Sequence, residues 1–260
     1  MESPFLDEII ENSQFEVLFT SINPVTLNVT GGSVNITDNG DGTYLGKSND
    51  TITYFSITST KSDITEIHVI KGATLTSLVS TFEDCTNMNI FNWSSNCNVT
   101  NITFSWTNCS ALTSFPLIDF SSVTLANRSW GGCVSLTSFP LIDLSNVIIL
   151  EYTWIDCSAL TSFPLIDFSS VTSFKSTWLG CSSLLSFPLI NFSTATSFIY
   201  TWKDCTNLVC FSELDFSSLT TQTSTFFNCP ALLQPPSTGT TVRNNTSATS
   251  GTWTNPNPCP

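Results

Sequence analysis

The sequence predicts a mostly β chain, a β-solenoid of about seven 24-residue coils stacked behind a small N-terminal β cap, and three observations predict it. First, Cys85, Cys109, Cys133, Cys157, Cys181, Cys205 and Cys229 stand 24 residues apart without a slip, and a fixed period of this length marks a repeat architecture. Second, such a unit is too short for a helix pair and fits one turn of a coil. Third, Thr, Ser, Phe, Val and Pro dominate the unit, which disfavours helix and suits short strands joined by turns.

Composition narrows the function classes. With 7 Lys+Arg against 20 Asp+Glu and a net charge of −13, the chain lacks the clustered cations that a nucleic-acid binder needs. Its 41% hydrophobic content, including 20 Phe and 7 Trp, is enough to bury a core and excludes wholesale disorder. No apolar run reaches the roughly 18 residues of a membrane span. The acidic start Met1-Glu2-Ser3-Pro4-Phe5-Leu6-Asp7-Glu8 has no basic n-region leading into an apolar stretch, so folding in a cytosol is expected. The column cysteines are then expected as buried thiols rather than as disulfides. Cys259, beyond the array, is the exception that could reach Cys229 or a neighbouring chain.

Taken in order, residues 1–60 read as an attachment segment and cap. Ser3-Pro4 suits a helix N-cap and first position, with Phe5, Leu6, Ile9 and Ile10 on one side and Asp7, Glu8 and Glu11 on the other. Alternating segments at 25–29, 33–37 and 51–57, with a turn at Asp38-Asn39-Gly40-Asp41-Gly42, predict a small antiparallel sheet. Residues 61–233 are the array. Trp106, Trp130, Trp154, Trp178 and Trp202 form a second column, closed by Phe82 and Phe226. Further columns begin at Leu112, Phe115 and Val123, and another runs through Leu117, Leu141, Leu165 and Leu189; all are expected inside. Pro116, Pro140, Pro164 and Pro188 cannot donate to a ladder and mark a bend or bulge in each coil. Each coil adds about 4.8 Å, and none could bury its core alone. Residues 234–260, rich in Pro, Ser, Thr, Asn and Gly, read as an irregular C-terminal cap.

The unit that starts Cys157-Ser158-Ala159-Leu160-Thr161-Ser162-Phe163-Pro164 and runs on through Asp167-Phe168-Ser169-Ser170-Val171-Thr172 resembles the BspA-type leucine-rich repeat of bacterial and mycoplasmal surface proteins. It shares an aromatic, then Cys, then Leu, then Asp-x-Ser-x-Val-Thr. The resemblance spans 61–233 and implies a leucine-rich-repeat-like solenoid, although Phe120, Phe168 and Phe192 stand where an ordinary leucine-rich repeat carries its Asn ladder. The closing segment Gly251-Thr252-Trp253-Thr254-Asn255-Pro256-Asn257-Pro258-Cys259-Pro260 is similar to the ends of repeat proteins encoded by marine tailed phages. That second resemblance implies a virion component assembled in a host cytoplasm.

Candidate chemistry is sparse. His68, the single histidine, falls in the proline column and is expected exposed at a bend, away from any Ser or Cys it could activate. Isolated Cys97 and Cys210 lack the short paired spacing that zinc requires. Asp119, Asp143, Asp167 and Asp215, with Asn191 between, are the best candidates for a calcium stripe; Asx turns at the bend are the preferred reading. The turn at 38–42 lacks the later Glu of an EF-hand. Outward rows such as Thr113-Ser114, Thr137-Ser138 and Thr161-Ser162 suit a glycan or another repeating polymer through many weak bonds, or merely keep the array soluble.

The expected function is non-enzymatic, with no cofactor. It is a virion structural protein, a capsid decoration or tail-fibre adhesin, held in multiple copies to other virion proteins through residues 1–60 and displaying the repeats for host attachment. A bacterial cell-surface adhesin and a β-solenoid polysaccharide-degrading enzyme are the alternatives.

Overall fold

The computed structural model describes residues 13–211, 214, 215, 218 and 220–232, and the backbone of 252 and 253. The expected N-terminal helix, most of the C-terminal cap and Cys259 lie outside the described residues. Regular structure among the described residues is β, apart from one 3-10 turn at Lys61–Asp63. β1 (Phe15–Ser21), β2 (Leu27–Thr30), β3 (Asn35–Asp38), β4 (Thr43–Ser48) and β5 (Tyr54–Ile57) precede the repeats, and β6 (Ile64–Lys71) and β7 (Ile90–Trp93) lie in the first two of them.

The N-terminal strands make two antiparallel arrangements. One sheet runs in the order β3-β4-β1-β6-β7. In β1 the period-2 pattern puts Phe15, Val17 and Phe19 inside. Glu16 is buried as well, flanked by the Lys47 and Lys71 ammonium groups at 3.5 and 3.9 Å, which lowers the cost of taking a carboxylate out of water. The β3–β4 hairpin closes through Asn39, whose N–H donates to the Thr43 carbonyl. Gly40 and Gly42 take φ of 80° and 86° there, and the Asp38 and Asp41 carboxylates accept from the backbone N–H groups of Gly40 and Thr43. Side-chain and backbone hydrogen bonds from Thr43 hold the Asp41 carboxyl below its ordinary range. The second arrangement pairs β2 with β5. β5 also lies against the first repeat: Thr76 donates its N–H to the Thr53 carbonyl, and Thr81 its hydroxyl to the Phe55 carbonyl.

From β6 onward each repeat lies on the next in parallel. β6 pairs with β7 in register, Ile67 opposite Phe91. Beyond that the repeats meet through isolated parallel bridges, such as Ser77 with Asn101 and Ser173 with Ser197. β8 (Ser186–Phe187), β9 (Ser197–Ile199), β10 (Cys210–Phe211), β11 (Leu214–Asp215) and β12 (Thr221–Thr223) follow, with β8 paired to β10 and β9 to β12, both parallel. β13 (Thr252–Trp253) pairs antiparallel with β11. The repeats therefore hold less strand than alternating strand and turn would give. The reason is local: each unit carries two residues with positive φ, and three carry a tight turn at proline, and both interrupt a ladder.

That proline turn also corrects one column. The N–H groups of Ile142, Ile166 and Ile190 donate to the carbonyls of Pro140, Pro164 and Pro188, two residues back. This is the three-residue γ-turn pattern. The central leucine is the apex, so Leu117, Leu141, Leu165 and Leu189, expected inside, are 61–73% exposed, while Ile118, Ile142, Ile166 and Ile190 fill the core in their place.

Candidate functional site

The interior is a set of stacked columns. Successive Trp rings from Trp106 to Trp202 lie 5.4–5.8 Å apart and within 7° of parallel, with Phe82 and Phe226 stacked on the two ends at 5.5 and 5.1 Å. Phe115, Phe139, Phe163 and Phe187 stack alongside at 5.6–6.1 Å, meeting the Trp edge to face, the geometry their quadrupoles favour. The backbone N–H of each Trp donates to the repeat ahead, Trp130 to the Thr153 carbonyl and Trp154 to that of Thr177, whereas the buried indole Nε1–H groups of Trp106, Trp130, Trp154 and Trp178 find no hydrogen-bond acceptor among the described residues.

The cysteines have a task in this stack. The thiols of Cys133, Cys157 and Cys181 donate to the carbonyls of Trp106, Trp130 and Trp154 at 3.2 Å, and those of Cys109, Cys205 and Cys229 donate in the same way to the carbonyls of Phe82, Trp178 and Trp202. All the described cysteine thiols are free and buried. Burial pushes the Cys85, Cys133 and Cys229 thiols up to about 12. Sequence reasoning missed a matching hydroxyl column immediately before each aromatic. Ser105, Ser129, Thr153 and Thr201 donate to the carbonyls of Leu78, Ile102, Ala126 and Phe174. The signal was present as Ser-Trp or Thr-Trp in every unit of the Trp column.

Outside, the Asp row makes Asx turns: the Asp119, Asp143 and Asp167 carboxylates, and the Asn191 amide oxygen, each accept the backbone N–H two residues on at 2.9–3.0 Å. Hydrogen bonds from Ser121 hold the Asp119 carboxyl below its ordinary range. Among the described residues no group of three or more His, Cys, Asp or Glu side chains is placed to hold a metal ion. The threonine rows are less available than expected. Thr137 and Thr161 turn their hydroxyls onto the carbonyls of Thr113 and Thr137, and Thr100, Thr124 and Thr196 do the same in another row. These bonds sew neighbouring repeats together, leaving serines such as Ser138 and Ser162 facing solvent.

His68 also departs from expectation. It is half-buried within β6, and its Nε2 lies 2.6 Å from Ser94 Oγ, one repeat ahead. Among the described residues that is its one side-chain hydrogen bond, and no third group there orients the ring as a nucleophile–base pair requires. Burial lowers its pKa.

Two columns of left-handed residues shape one edge. Asp84, Asn108, Gly132, Asp156, Gly180, Asp204 and Asn228 precede the cysteines with φ of 56–77°, and Ser80, Phe104, Arg128, Tyr152, Ser176, Tyr200 and Ser224 stand four residues earlier with φ of 50–59°. In the first column a Cβ on Gly180 would come within 2.3 Å of Asp156 Oδ1, so the glycine makes room for the carboxylate beside it. Burial raises the Asp156 pKa, opposed by Arg128. In the second, Lys175 Nζ lies 5.4 Å from the Tyr152 ring centre, and Lys203 Nζ lies 5.4 Å from that of Tyr200 and 5.5 Å from that of Phe227.

No family model matches the chain, and comparison with curated proteins and with solved structures gives no match.

Proposed function

We propose that the stacked array is a β-solenoid of the leucine-rich kind, and that the protein acts by display and contact: a non-enzymatic virion structural protein, carried as a capsid decoration or tail-appendage adhesin. One observation carries this reading. The thiols, the buried hydroxyls and the Asx side chains are engaged in holding turns and repeats together, while stripes of like side chains at one spacing face outward, Leu117 to Leu189 among them. A surface of that kind suits a target that also repeats, because each weak contact is multiplied by the number of repeats. The virion placement draws on the likeness of the closing segment to the ends of phage-encoded repeat proteins, the likeness of the repeat unit being to bacterial and mycoplasmal surface proteins.

Peptide mass spectrometry and immunogold labelling of gradient-purified particles test it. The expected result is a constant copy ratio to the major capsid protein, with label on the particle surface. Label on cells with none on particles would favour the bacterial adhesin. Release of reducing sugar from a polysaccharide, lost on Asp143→Asn, would overturn a non-enzymatic role.

A further inference from the structure

The two left-handed columns differ in a way that backbone conformation does not explain. Gly, Asn and Asp visit that region at low cost, whereas a bulky side chain is strained there. The column before the cysteines holds only Gly, Asn and Asp. Its neighbour, at nearly the same φ, holds none of them: Phe104, Arg128, Tyr152 and Tyr200 share it with three serines. The chain thus has the cheaper residues available and uses them four positions away, so something other than the turn selects the large ones, and strain retained in this manner points to function.

What these residues present is a ridge of partly exposed aromatic rings with charges of both signs, Lys175 standing over Tyr152 and Lys203 over Tyr200 and Phe227. Phe104, Tyr200 and Phe227 are exposed and Tyr152 is partly so. Tyr152 and Tyr200 stand two repeats apart, roughly 10 Å, with only Ser176 between them in the column. Arg128, Lys175 and Lys203, all the cations of residues 85–232, lie on this edge. They are not a cationic patch: Lys203 sits 3.9 Å from Asp204, Lys175 feels Glu151, and Arg128 feels Asp156.

We propose that this edge is a binding ridge for an uncharged polysaccharide chain. The C–H face of a pyranose is slightly positive and matches the negative face of a tyrosine ring. Its hydroxyls both donate and accept, which suits alternating ammonium and carboxylate groups. The chain's net charge of −13 opposes a polyanion, whether nucleic acid or acidic glycan. The inference rests on the contact role proposed above and names its ligand class and site.

Affinity electrophoresis of the full chain through gels carrying laminarin, mannan or hydroxyethylcellulose, with alginate as the acidic comparison, tests it. At least one neutral polymer should retard the protein. Tyr152→Asn and Tyr200→Asn should each weaken retardation about tenfold and together abolish it, with melting unchanged or raised because Asn suits the conformation. Thr37→Asp, on the exposed edge strand β3 of the N-terminal sheet, should retain binding. Wild-type retardation of the double variant, retardation by alginate alone, or no retardation by any neutral polymer would each overturn the ridge. Adherence of the protein to cells separates the two readings: adherence that survives the double substitution sinks the ridge and leaves the contact role standing.

Discussion

Cys133 shows why a thiol stands where a small aliphatic residue would also fit. It fills a fully buried position and donates to the Trp106 carbonyl of the repeat behind it, so one side chain supplies both apolar volume and a hydrogen bond between repeats. Cys133→Ala should cost about 1–2 kcal/mol, combining lost packing with a weakened carbonyl partner. The same burial makes the fold sensitive to alkali. A thiol near 9 in the unfolded chain is pushed up to about 12 in the folded one, so between those values the unfolded chain holds fewer protons. Stability is then full below pH 9 and falls as pH rises toward 12, by about 1 kcal/mol per pH unit for each such thiol. Urea midpoints should drop steeply between pH 8 and pH 10, and Cys133→Ala, although weaker at pH 8, should show a shallower drop. A flat wild-type profile would mean that the thiols are solvated.

At the scale of the single repeat, the period was legible and the phase within it was not. Identical spacing made the Trp and Cys columns legible because each tends to stand as one apolar residue beside polar neighbours, as Trp106 does between Ser105 and Thr107. In Pro164-Leu165-Ile166 two adjacent aliphatics compete for the interior, and periodicity alone does not choose between them. The γ-turn at Pro164 decides, turning Leu165 out and Ile166 in. The hydroxyl rows face outward as expected, but their bonds were hidden for a related reason: composition shows that Thr161 is polar, and only stacking shows that the Thr137 carbonyl lies within its reach. His68 paired with Ser94 in the same hidden way, through a neighbour one repeat along rather than along the chain. A pair of substitutions separates the two leucine environments. Leu160→Asp buries an unpaired charge at a fully buried site and should lower stability by more than about 4 kcal/mol. Leu165→Asp, only five residues on, should stay within about 0.5 kcal/mol of wild type. Thermal melting of both variants checks this, and equal losses would mean that the proline turn is wrongly placed.

For the whole molecule, one aromatic column runs from the N-terminal sheet into the array, Phe15 on Phe55, Phe55 on Phe82 and Phe82 on Trp106, so cap and repeats share a core. The cap meets the first repeat on one side through β1, antiparallel to β6, and on the other through the β5 segment, which continues the parallel stacking and is itself covered by antiparallel β2. That arrangement closes an edge which would otherwise accept another parallel strand. Between the ends, each repeat touches mainly the one before and the one after, so stability should approximate a sum of unit and nearest-neighbour terms. Removing residues 133–156 deletes one period of 24 and joins Gly132 to Cys157. Trp130 then meets Trp178, Phe115 meets Phe163, and the Cys157 thiol, now in the place of Cys133, finds the Trp106 carbonyl behind it. The shortened protein should melt cooperatively at a lower temperature, with its near-ultraviolet dichroism from stacked Trp retained. Removing only residues 133–144, half a period, would set Trp130 against Ile166 and Cys109 against Ser145, leaving bulky rings and carbonyls without partners. That variant should not fold. If both deletions behaved alike, stacking at a 24-residue register would not be what holds the molecule together.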